Sequence, residues 1–102
     1  MPLTRFYHYQ SLGQRGTPAD VDAIMLLLSA DGSFSATRLA DYALSLVNTP
    51  EGRRRIEYYL FHGEQLILRN YAALYFKRRG DMGRVRRAVD LGLVDAVQGL
   101  SQ

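Results

Sequence analysis

Apolar residues recur three and four positions apart through most of the chain, and the breaks between these runs carry helix start and stop signals. Val21, Ile24, Met25 and Leu28 mark one helical face, and Thr17-Pro18 stands just before it. That dipeptide pairs a capping hydroxyl with a proline at the first helical position, where the missing N–H is not needed. Asp20 and Asp22 favour the positive end of the helix dipole, and Asp31-Gly32 ends the run. Ser33 or Ser35 can then cap a second helix through Leu39, Ala40, Ala43, Leu44, Leu46 and Val47 to Asn48. Thr49-Pro50-Glu51 repeats the first start signal, and a third helix follows with Ile56, Tyr59 and Leu60 on its buried side. It stops around His62-Gly63, where a cationic histidine suits the dipole.

The fourth predicted helix, about 64 to 79, differs in kind. Leu66 to Phe76 is apolar around most of a helical circumference, with Arg69, Asn70 and Lys77 the main interruptions, so it should be covered on several sides. Gly80 closes it. Asp81 can cap a fifth helix through Val85, Ala88, Val89 and Leu91, and Gly92 separates that from a short sixth carrying Val94, Val97 and Leu100. Little of the chain alternates as a strand would. Within residues 1–16, the aromatic stretch Arg5 to Tyr9 reads as a short helix or an ordered arm.

The expected fold is all-α, a single helical domain over 1–102 built from five to six short antiparallel helices. Two arrangements fit that description, an armadillo- or HEAT-like superhelix and a compact helical bundle. Arg69-Asn70-Tyr71-Ala72-Ala73-Leu74 and Ala88-Val89-Asp90-Leu91-Gly92-Leu93-Val94 bear on the choice, because within residues 64–98 they resemble one armadillo or HEAT-type unit. The resemblance implies helices brought close by Ala72 and Ala73, with Gly92 turning sharply between two of them. It departs at Lys77, near where an armadillo peptide-binding asparagine belongs, so that mode of peptide binding does not carry over. Residues 1–50 show no clean repeat of the period.

Composition narrows the function classes. There is no cysteine among the 102 residues, which removes disulfides, thiolate metal sites and cysteine nucleophiles. No apolar run approaches a membrane span, and the expected setting is cytoplasmic. The net charge of +3 is unevenly spread, with the basic residues concentrated between Arg53 and Arg87. A basic segment points to phosphate or acidic partners. Lys77 is the only lysine among the 13 basic residues, a bias that GC-rich coding also produces.

Catalytic chemistry finds little footing. His8 and His62 are the only histidines, and neither belongs to a spaced ligand set. Asp20-x-Asp22 falls within a helix without the remaining oxygens of a cation loop, and Gly80-Asp81-Met82-Gly83 lacks the lysine and hydroxyl of a phosphate loop. No enzyme activity, metal or cofactor is expected.

A non-enzymatic protein-interaction module is therefore the expectation, with a surface formed by Arg53, Arg54, Arg55, Arg69, Lys77, Arg78 and Arg79. Nucleic-acid binding is the alternative, through a basic helical face or through residues 31–60, which loosely resemble a helix-turn-helix. There Ser35 to Ala40 matches the first helix and Pro50 to Leu60 the recognition helix, placing Arg53 to Arg55 where a groove is read. Tyr58, Phe61, Tyr71, Tyr75 and Phe76 either fill the core or leave an aromatic face that also fits a homo-oligomer.

Overall fold

A computed structural model describes residues 3–95 and contains six α-helices among them: α1 Leu3–Arg15, α2 Pro18–Ala30, α3 Phe34–Leu46, α4 Pro50–His62, α5 Leu66–Arg78 and α6 Met82–Asp90. The all-α expectation is met, and no strand occurs among the described residues. The chain groups into two units, Met1–Ile56 and Glu57–Gln102.

In the first unit the start signals act as their chemistry requires. Thr17 caps α2 by accepting from the Asp20 amide, while the Asp20 carboxylate accepts from the Thr17 amide at 3.1 Å, a complete capping box. Ser33, rather than Ser35, caps α3 through the Ala36 amide. Thr49 does the same for α4 through the Gly52 amide at 2.9 Å, and its hydroxyl also donates to the Gly16 carbonyl at 2.6 Å. Gly16 sits at a φ of +62°, the left-handed backbone that lets the chain turn from α1 into α2.

The largest departure from the sequence reading is α1. Residues 3–15 form a full 13-residue helix where a short helix or arm was expected. Its mixed polarity hid the periodicity, because Leu12 and Gly13 are its only buried residues and its aromatic positions stay partly exposed. Contacts with α2 and α3 hold it, and Arg5 pairs with Asp31 at 3.7 Å. At Gly13 the two backbones come so close that an added Cβ would strike the Ala43 carbonyl and lie 3.0 Å from the Leu46 Cβ. Gly13 lies beside Ala43, Gln10 beside Tyr42 and Phe6 beside Tyr42, so α1 and α3 run in the same direction with α2 packed on both. Ile24, Met25, Leu28, Ala40, Ala43 and Leu44 fill the core, each 2% exposed or less. Burial of each large aliphatic among them stabilises the fold by about 1.5–3 kcal/mol.

In the second unit no residue of α5 from 67 to 77 is exposed, and Leu68, Ala72, Ala73, Tyr75 and Phe76 are buried, in keeping with its largely apolar composition. It packs on α6 through a turn whose Gly80 has a φ of +76°. Asp81 precedes α6 but makes no side-chain cap, contrary to the sequence reading, because its carboxylate is taken by Arg84. Gly92, at φ +74°, follows α6. The short helix expected through Val97 and Leu100 lies outside the described residues.

Candidate interaction surface

The seven cationic residues expected to form one surface serve different purposes. Arg55 is a fork on Asp22, with Nε donating to Oδ1 at 2.7 Å and Nη2 to Oδ2 at 3.3 Å, and so ties α4 to α2. Arg53 donates to the Asn48 side chain at 3.0 Å. Only Arg54 of this triplet is exposed. Arg69 is half-buried and joins two turns, its Nε donating to the Leu93 carbonyl at 2.5 Å and its Nη1 to the Gly63 carbonyl at 2.8 Å. That is a structural clamp, and the guanidinium is already used. Lys77 is half-buried, while Arg78 and Arg79 are exposed, Arg79 lying over the Tyr75 ring at 4.0 Å. Arg53, Arg54 and Arg55 belong to the first unit, and Arg69, Lys77, Arg78 and Arg79 to the second.

The second unit holds a further basic group on α6. Arg84 donates to Glu57 at 2.7 Å, pairs with Asp81 and lies 5.3 Å from the Phe76 ring centre. The Glu57 hydrogen bond, outweighing the cost of partial burial, raises its pKa further above the ordinary arginine value. Arg87 lies over Phe61 at 5.7 Å, and Arg86 is exposed. Of the five candidate aromatics, Tyr75 and Phe76 are core at 2% exposure each, Phe61 and Tyr71 are half-buried, and Tyr58 is exposed at 46%.

An exposed aromatic surface does exist, in the first unit. On α1, Leu3, Phe6, Tyr7 and Gln10 follow the three-four spacing of one helical stripe, and on α3 Phe34, Arg38 and Tyr42 follow at successive turns. Phe6 stacks on Tyr42 with ring centres 5.4 Å apart and planes 16° apart, and the Gln10 amide donates to the Tyr42 hydroxyl at 3.0 Å. The helices are closest at Gly13, and toward their N-termini bulky rings replace the glycine. A groove of about 360 Å³ opens there, lined by Phe6, Phe34, Ser35, Arg38, Leu39 and Tyr42. Phe34 is 76% exposed, with the Arg38 guanidinium 5.4 Å from its ring centre. The sequence pattern gives Arg5 to Tyr9 as a short helix or an ordered arm and assigns no role to Phe34. The spacing of residues 3, 6, 7 and 10 was the available signal, but it gains meaning only once α1 is known to be a helix beside α3.

No group of three or more histidine, acidic or cysteine residues among the described residues could hold a metal ion, and no described helix is long and apolar enough to cross a membrane. The fold and surface thus define an all-α helical protein with a solvent-open, aromatic-lined groove. No protein-family model, curated protein or solved structure matches the chain.

Proposed function

We propose that this chain is a non-enzymatic helical module that binds another protein, and that it does so through the α1–α3 groove. One observation carries the reading: Phe34, 76% exposed, stands with the half-buried rings of Phe6 and Tyr42 around a preformed groove. Leaving a phenyl ring in water forgoes stabilisation of about 1.5–3 kcal/mol, and contiguous exposed apolar surface of this kind marks interaction sites. The mixture of phenylalanine, tyrosine and arginine is the one favoured at interface hot spots. The flanking arginines first expected to form the surface become secondary, because Arg55 and Arg69 are committed to internal contacts. A cytoplasmic setting accords with the reading, since a chain without cysteine needs no oxidative step to fold.

Site-specific photo-crosslinking tests it. A benzoylphenylalanine at position 35, irradiated in extract from the producing cells, should give a discrete protein adduct. Unlabelled chain should suppress the adduct, and unlabelled Phe34→Asp should not. Absence of any adduct that the unlabelled chain suppresses would refute the reading. An adduct of this chain with itself, matched by a dimer mass in light scattering, would make the partner a second copy. Nucleic-acid binding through the exposed Arg86 and Arg87 of α6 is the rival function. It predicts micromolar association with generic duplexes or single strands at low salt, weakening steeply as salt rises.

A further inference from the structure

We infer that the occupant of the α1–α3 groove is an acidic amphipathic helix of a protein partner, laying apolar anchors between Phe6, Phe34 and Tyr42 with carboxylates facing Arg38. The inference rests on the protein-binding reading and specifies its chemistry.

The first argument concerns backbone. Both walls of the groove are α-helices, whose main-chain hydrogen bonds are internal, and no strand edge occurs among the described residues. An extended peptide would find no main-chain partners on either wall, and any N–H or C=O group that it buried against the rings would go unpaired, at a cost in free energy for each. A helical occupant satisfies its own backbone and offers only side chains, which matches the apolar lining.

The second argument concerns charge. Arg38 is the one ionised side chain that lines the groove, and no carboxylate lines it. Asp31 is close in sequence but already accepts from the Ser33 amide and pairs with Arg5. Because α1 and α3 run in the same direction, their N-termini lie toward the same end of the groove. Neither carries an acidic residue in its first turn, whereas α2 has Asp20 and α4 has Glu51. The first turn of α3, which contributes Phe34 and Ser35 to the lining, and the Arg38 guanidinium therefore face the occupant, and a basic helix would meet like charge as it sheds water.

Three fluorescein-labelled synthetic helices provide the test, titrated into the full chain by anisotropy. One carries leucine and phenylalanine anchors on successive turns with glutamate flanks. The second replaces the glutamates by lysine, and the third replaces the anchors by serine. The acidic peptide should bind about tenfold tighter than its lysine counterpart, and Arg38→Glu should reverse that order. Arg38 is exposed, so the variant should retain the wild-type circular dichroism spectrum. Amide shifts on binding should concentrate in α1 and α3. Equal affinity for the two charged peptides, an unchanged order in Arg38→Glu, undiminished binding of the serine peptide, or no binding at all would each overturn the inference. If the position-35 adduct forms while the acidic peptide fails, protein binding stands and the partner chemistry is wrong. If no competed adduct forms, the parent reading itself falls.

Discussion

Replacing Arg69 by methionine separates a structural arginine from an interaction residue. The substitution keeps most of the aliphatic stem and removes both donors, leaving the Gly63 and Leu93 carbonyls without the bonds they accept at 2.8 and 2.5 Å. A hydrogen bond from a charged donor contributes about 1.5–3 kcal/mol when well buried. Arg69 is half-buried, so water replaces part of each bond, and a net loss of about 2–4 kcal/mol is expected for the pair. In a domain of this size that corresponds to a fall in Tm of roughly 10–25 °C. Arg69→Lys should recover only part of the loss, because an ammonium lacks the planar fork that reaches two carbonyls from one side chain. Urea denaturation followed by far-UV circular dichroism measures both variants, with Arg54→Ala as the exposed control expected within about 0.5 kcal/mol of wild type. If Arg69→Met also falls within that margin, the clamp contributes nothing and Arg69 returns to the list of surface candidates.

Gly13→Ala and Gly83→Ala should differ in sign. At position 13 the methyl meets the Ala43 carbonyl and the helices must part, costing about 1–3 kcal/mol, whereas at position 83 nothing lies within 4 Å and the usual gain of about 0.5–1 kcal/mol should appear. Thermal melts showing the same sign for both would disprove the close approach of α1 and α3. Acid should weaken the α2 cap in a defined window. Burial opposes ionisation of Asp20, but hydrogen bonds from the Thr17 hydroxyl, Arg15 and the Thr17 amide outweigh it and hold the pKa below the ordinary carboxylate value. A depressed folded-state pKa means that this stability is complete above the unfolded value of about 3.9 and is lost as pH falls through the lower folded value. Asp20→Asn should flatten the dependence of Tm on pH below about 5, and an unchanged slope would contradict the assignment.

The helix inventory was legible because its causes are local. Thr17-Pro18, Ser33 and Thr49-Pro50 satisfy amide groups within three residues of themselves, and Gly80 and Gly92 supply φ values that other residues rarely adopt. The absence of exposed positions from 67 to 77 in α5 was likewise implied by its largely apolar circumference. The extent of α1 was not legible, since a helix that buries little on its own face declares itself only through what packs against it.

By itself, then, the sequence determined an all-α chain and the positions of most helix ends. Only the tertiary structure decided which arginines are occupied and where apolar surface is left open. Asp22 and Arg55 stand 33 positions apart, and Arg69 and Leu93 stand 24 apart. Phe6 and Phe34 become walls of one groove only because Gly13 lets α1 lie against Ala43. The physical reason is range: capping and periodicity act across a few residues, whereas ion pairing, carbonyl capture and groove formation depend on which distant segments meet in three dimensions.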